Sequence, residues 1–138
     1  MKKAMMIVGV MILGAAAWAA AEVSAEETIF DLKPGAGVTE IDVAGLPPVI
    51  ALRVKVDRLM GMPSMAPEAR VASTYGDFGC EILGVELAQS GMHHELIMQD
   101  VFLVRVAWEP GVDLSGCALS ITEPFSNRLY PVDLFMSY

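Results

Sequence analysis

Residues 50–57 read Ile-Ala-Leu-Arg-Val-Lys-Val-Asp, and this stretch decides the fold. Every second residue from Ile50 to Val56 is a branched aliphatic. Of the residues that alternate with them, Arg53, Lys55 and Asp57 are charged. Successive side chains of a β-strand point to opposite faces. The pattern therefore predicts a strand with one buried face and one face in water.

The same period-two alternation recurs along the chain after residue 25. It predicts further strands over 29–32, 38–43, 70–75, 81–87, 102–108, 116–122 and 130–138. Glycine, proline and asparagine are concentrated between these runs, which is typical of turns. Seven to eight short strands without the pattern of a long helix predict an antiparallel β-sandwich of immunoglobulin-like type, and a small closed barrel is the alternative.

The alternation also predicts the hydrophobic core. In the run 81–87 it places Leu83, Val85 and Leu87 on one face of a strand. The predicted core consists of Ile50, Leu52, Val54, Leu83, Val85, Phe102, Val104, Val106, Leu119, Ile121, Val132 and Leu134.

Residues 1–25 have the layout of a secretory signal peptide. Two lysines precede an apolar run over 4–21, and small residues follow as far as Ala25. We therefore expect a signal peptide over 1–25, cleaved after Ala21 or Ala25, and one domain over 26–138 in the periplasm or secreted. The alternative is a retained membrane anchor, because about 18 apolar residues reach the lower limit for crossing a bilayer.

Cys80 and Cys117 are the two cysteines of the chain. Disulfides form in the oxidising compartments to which a signal peptide leads, and an even cysteine count in a short exported domain is typical of them. Cys117 shares a predicted face with Leu119 and Ile121, so we expect a buried Cys80–Cys117 disulfide between the sheets. The alternative is a redox-active or metal-binding cysteine pair. The chain lacks the C-x-x-C spacing that lowers a thiol pKa, which argues against this alternative.

The chain is acidic, with 17 acidic residues, 9 basic residues and a net charge of −8. Removing the segment 1–25 makes the remainder one unit more negative. Such a charge argues against a nucleic-acid partner and against anionic lipid surfaces. It suits a basic protein or a cation, and we expect the partner to be another protein, with no membrane contact by the mature form unless the anchor is retained.

Methionine and histidine are concentrated in two segments. The segment 59–67 reads Leu-Met-Gly-Met-Pro-Ser-Met-Ala-Pro, whose glycine and prolines predict a loop, and 91–94 reads Gly-Met-His-His, which we expect in a turn. Thioethers are soft ligands that select Cu(I), and imidazole suits Cu(II) and Zn(II). The combination resembles in kind the Met-rich loop and nearby histidine of small exported β-sandwich copper carriers. The candidate metal ligands are Met60, Met62, Met65, Met92, His93 and His94.

Catalytic motifs are absent from the sequence. It has no G-x-S-x-G elbow, no glycine-rich phosphate loop and no dinucleotide fingerprint, and the two histidines are adjacent. We therefore expect no catalytic residue, no cofactor and no enzymatic activity. The predicted function is an exported, non-catalytic binding or protein-interaction module with an acidic surface. The alternatives are a periplasmic carrier with copper as its cofactor and an inhibitor of a basic secreted enzyme.

Overall fold

A computed structural model describes residues 27–35, 37–72, 79–110, 114 and 117–137. The predicted signal peptide over 1–25 lies outside the described residues. Within these ranges, no helix has the length and hydrophobicity needed to cross a membrane.

Every regular element in the described part of the chain is a β-strand, which confirms the all-β prediction. The strands are β1 Ile29–Asp31, β2 Thr39–Asp42, β3 Val49–Leu59, β4 Glu68–Val71, β5 Cys80–His94, β6 Ile97–Trp108, β7 Cys117–Thr122 and β8 Leu129–Phe135. β5 and β6 are longer than predicted. The turn expected at 91–94 is instead formed by Glu95 and Leu96.

The strands form two four-stranded sheets. Sheet one has the order β1-β3-β6-β5, and sheet two has the order β2-β8-β7-β4. Most neighbours are antiparallel, but β1 runs parallel to β3 and β2 runs parallel to β8. The prediction of a purely antiparallel sandwich is therefore wrong. The chain enters sheet two as β2 before it returns to sheet one as β3, so an intervening strand of the other sheet connects the two parallel strands.

The hydrophobic core lies between the two sheets. Ile50, Leu52, Val54 and Val56 are fully buried, which confirms the inward face predicted for residues 50–57. Their burial stabilises the fold by about 1.5 to 3 kcal/mol for each side chain. Ten of the twelve predicted core residues are buried, and Val85 is partly buried against the same core.

Strand β5 interrupts its own alternation at three places. Its register against β6 shifts at Leu83, Ala88 and His93, each of which is an extra residue in a β-bulge. An extra residue exchanges the inward and outward faces, so Leu83 is 53% exposed while Ile82 and Val85 pack on the core. The predicted burial of Leu83 is wrong for this reason. The bulges also disrupt the outer edge of sheet one, which discourages pairing with a further strand.

Cys80 and Cys117 form a disulfide bond, as predicted. Their Cα atoms are 6.3 Å apart, and both residues are buried. Cys80 begins β5 in sheet one and Cys117 begins β7 in sheet two, so the bond joins the two sheets.

Candidate metal centre at one end of sheet one

The structure places the two predicted ligand segments at the same end of sheet one. Leu59, the last residue of β3, is the register partner of Ile97, the first residue of β6. β5 ends at His94, which is also a partner of Ile97. The loop after β3 and the β5–β6 hairpin are joined directly, because the Met60 amide donates a hydrogen bond of 2.8 Å to the Leu96 carbonyl.

A further methionine, Met98, belongs to this end of the sheet. It is the cross-strand partner of Met92 in β5 and of Arg58 in β3. Directly opposed residues have Cβ atoms about 5 Å apart and point to the same face, so these three side chains form one row across the sheet. Sequence analysis missed Met98 because the register depends on the bulge at His93, which nothing in the sequence indicates.

Five methionines from three segments therefore lie at this end of sheet one, and we call them the methionine end: Met60, Met62, Met65, Met92 and Met98. The chain has ten methionines, four of them in 1–25, so the methionine end holds five of the remaining six. Met60, Met65 and Met92 are 50%, 48% and 58% exposed, whereas Met62 and Met98 are partly buried. Most of these thioethers are thus accessible to a ligand from solution.

The two histidines lie beside the methionine end. His93 is the bulged residue near the end of β5, and its ring packs edge-on against that of His94, with the ring centroids 4.5 Å apart. His94 is opposite Ile97, whereas Met92 is opposite Met98. Because Ile97 and Met98 point to opposite faces, His94 points away from the Met92–Met98 row.

A buried carboxylate, Asp100, lies one row deeper in sheet one. It is fully buried at a position of β6 where the alternation would place an apolar residue. Its Oδ2 accepts hydrogen bonds from Arg58 Nε at 2.7 Å and from Ser64 Oγ at 2.9 Å. Its Oδ1 accepts from Ser90 Oγ at 2.5 Å and from Arg58 Nη2 at 3.3 Å. These donors satisfy a charge that would otherwise be very costly to bury.

Two opposing effects determine the pKa of the Asp100 carboxyl. Burial raises it, because the charged form loses its water. Hydrogen bonds from Arg58, Ser90 and Ser64 lower it and outweigh the burial, so the pKa of Asp100 lies below its ordinary value. The carboxylate is therefore ionised at neutral pH and forms a true ion pair with Arg58.

The same cluster holds the loop after β3 in place. Arg58 Nη1 donates to the Met62 carbonyl at 2.6 Å, and the Met62 amide donates to the Leu59 carbonyl at 3.1 Å. Ser64 reaches Asp100 from the same loop. The backbone between Met60 and Met65 is thus fixed at several points rather than left as an unattached loop.

An apolar cavity of about 310 Å³ opens beside the methionine end, lined by Asp57, Arg58, Leu59, Met62, Ile97 and Phe125. Phe125 comes from the β7–β8 loop of sheet two. Phe125 and the turn residue Leu96 have φ angles of 68° and 66°, which large side chains rarely adopt and which cost about 1 kcal/mol each. Both are also exposed. Strained backbone that presents an apolar side chain to water favours a contact surface.

A second buried acid, Glu123, has a structural role. The Tyr130 hydroxyl donates a short hydrogen bond to Glu123, and Ser126 Oγ donates to the same carboxylate at 3.3 Å. Burial and the Glu123 interaction raise the pKa of Tyr130 to about 12, so this phenol remains a donor at neutral pH. The cluster fixes the β7–β8 loop, in which Ser126 lies.

The donor types present favour a soft metal. In the described ranges, no three side chains of His, Cys, Asp or Glu come together as a metal-binding group. The methionine end offers thioethers, which are poor ligands for Mg²⁺ or Ca²⁺ and good ligands for Cu(I). No protein-family model, curated protein or solved structure matches the chain.

Proposed function

We propose that this protein is an exported, non-catalytic binding module and that its ligand is copper(I). The observation that supports this most directly is the location of five methionines from three separate segments at one end of sheet one. A single thioether is a weak ligand, so a Cu(I) site needs several. The loop supplies Met60, Met62 and Met65, and the hairpin supplies Met92 and Met98.

The local structure supports a formed site rather than a collection of exposed residues. Hydrogen bonds to Leu96 and Met62 fix the backbone of the loop, and β-pairing fixes the hairpin. A ligand therefore meets side chains that are carried on a backbone already ordered by folding, which favours binding. The net charge of −8 attracts a cation to the protein as a whole.

Export belongs to the same proposal. The lysines, apolar run and small residues of 1–25 favour a cleaved signal, and the Cys80–Cys117 disulfide suits an oxidising compartment. Two facing four-stranded sheets joined by a buried disulfide also support the proposal that the sandwich is of immunoglobulin-like type.

Titration with Cu(I) in the presence of a competing chelator tests the proposed ligand. We expect the wild-type protein to remove Cu(I) from the chelator and the triple variant Met60→Leu/Met62→Leu/Met65→Leu to fail to do so. Met136→Leu is the matched control. Met136 follows β8 and lies two residues after Leu134, the register partner of Cys117. It is therefore near the disulfide, at the end of the sandwich opposite to the methionine end. Equal competition by the wild type and the triple variant would contradict the proposal.

The strained, exposed residues Leu96 and Phe125 favour a second candidate function. An apolar contact surface at this end, on an acidic protein, suits a basic protein partner, such as a secreted hydrolase of lysozyme type that the module would inhibit. The variant Leu96→Asn/Phe125→Asn removes the apolar side chains and suits positive φ better. We expect inhibition of such a hydrolase by the wild type and none by the variant. Absence of inhibition by the wild type would rule out this candidate.

A further inference from the structure

We infer that Ser64 and Arg58, anchored by Asp100, are positioning residues that hold the methionine loop in its ligand-binding geometry. The inference rests on the proposed copper(I) function. It concerns the cluster around the buried Asp100 below the methionine end, which contributes no metal ligand of its own. Its members come from the loop after β3 and from β3, β5 and β6.

The composition of the cluster is difficult to explain by packing alone. Asp100 continues the inward series of Phe102, Val104 and Val106, where an aliphatic side chain would fill the space between the sheets. A buried ion pair is often no more stabilising than well-packed apolar residues of similar volume. What it adds here is a restraint on the loop, because one of the four hydrogen bonds that Asp100 accepts comes from Ser64.

The two ends of the loop are restrained in different ways. The first part is held by a backbone bond from the Met60 amide to the Leu96 carbonyl and by a bond from the Arg58 side chain to the Met62 carbonyl. Beyond Met62, the loop is held by the hydrogen bond from the Ser64 side chain to Asp100. Met65 is the residue that directly follows Ser64. Loss of the Ser64 hydroxyl should therefore release Met65 and the adjoining backbone while the hairpin half of the site stays in place.

Ser64 and Ser90 form a natural matched pair for the test. Each hydroxyl donates to the same Asp100 carboxylate, Ser64 at 2.9 Å from the loop and Ser90 at 2.5 Å from strand β5. Ser64→Ala and Ser90→Ala thus each remove one hydrogen bond to the same acceptor, and Ser90→Ala also removes a 3.4 Å bond that Ser90 Oγ accepts from Arg58 Nη2. A role in stability alone would affect both variants alike, whereas a role in positioning the loop belongs to Ser64.

The experiment measures two properties of each variant: its Cu(I) affinity, by competition with a chelator, and its thermal unfolding temperature. The full chain is expressed, and the protein is used in the form that the cell produces from it. We expect Ser64→Ala to bind Cu(I) about tenfold more weakly than the wild type, since the lower value for a hydrogen bond to a charged group corresponds to about that factor. Ser90→Ala and the hydroxyl-retaining Ser64→Thr should stay within about threefold of the wild type. The two alanine variants should unfold at similar temperatures.

The outcomes separate this inference from the function on which it rests. If the wild type binds Cu(I) and Ser64→Ala binds equally well, the positioning role is wrong and the copper proposal stands. Equal weakening in Ser64→Ala and Ser90→Ala also overturns the positioning role, because stability would explain it. If the wild type does not bind Cu(I), both proposals fail.

Discussion

Breaking the Arg58–Asp100 pair on one side should cost far more stability than breaking a pair of similar geometry on the surface. In both Arg58–Asp100 and Arg53–Asp31, the arginine donates through Nε and Nη2 to the two carboxylate oxygens. They differ in burial. The Asp100 side chain is fully buried, while that of Asp31 is 49% exposed. The substitutions Asp100→Asn and Asp31→Asn therefore compare one chemical change in two environments.

The expected magnitude follows from the burial. Asp100→Asn leaves the Arg58 guanidinium, whose side chain is 13% exposed, without its counter-charge. Breaking a buried pair on one side costs about 3 to 5 kcal/mol, and the residual exposure of Arg58 favours the lower value, about 3 kcal/mol. For Asp31→Asn we expect a free energy of unfolding close to that of the wild type, because water and salt screen the exposed pair.

Urea unfolding followed by the fluorescence of the buried Trp108 measures both effects. With an m-value of about 1.5 kcal/mol/M, the loss in Asp100→Asn should lower the midpoint by about 2 M. The lowered pKa of Asp100 adds a pH dependence. Its contribution should be complete above the unfolded pKa of about 3.9 and should disappear as the pH falls through the folded value. Similar midpoints for the two variants at pH 7 would refute the reasoning.

Two further predictions concern the sandwich itself. Replacing Cys80 and Cys117 together by alanine should lower the free energy of unfolding by about 4 kcal/mol on the chain-entropy model, because the disulfide spans 37 residues. An unchanged unfolding temperature in calorimetry would contradict this. Ile50→Ala should lower the free energy of unfolding by about 2 to 5 kcal/mol because Ile50 is fully buried. Leu83→Ala should change it little, because Leu83 is exposed in the bulge. Equal losses of stability for the two variants in urea titrations would show that the bulge is misplaced.

The sequence predicted the central strands well because their signal is local. In β3 each buried aliphatic residue alternates with a more exposed one over most of 50–57, and the structure confirms that face. The parallel pairing of β1 with β3 was not predictable in this way. β1 has three residues, and its partner is determined by the path of the whole chain.

Errors arose where one residue changes the register or where a charge interrupts a strand. The extra residue Leu83 is exposed while Ile82 before it and Val85 after it pack on the core, although the sequence context of Leu83 looks regular. The beginning of β6 was not predicted because Asp100 lies in it. A carboxylate in an apolar series is typical of the end of a strand. Its partners Arg58 and Ser64 are distant in sequence, so only the structure shows that the charge is satisfied.

The candidate site was partly predictable for the same reasons. The composition of 59–67 and 91–94 identified the loop methionines and Met92 as candidate ligands, because they form dense local clusters. Met98 stands alone in the sequence and joins the others only through its pairing with Met92. The orientation of His94, away from the Met92–Met98 row, also depends on that register.

The copper K-edge X-ray absorption spectrum of the Cu(I)-loaded protein tests the central claim most directly, because it identifies the atoms around the metal. Coordination by the methionine end predicts a first shell dominated by sulfur. That sulfur contribution should be lost in the variant Met60→Leu/Met62→Leu/Met65→Leu and kept in Met136→Leu. A first shell of nitrogen and oxygen alone in the wild-type protein would contradict the account.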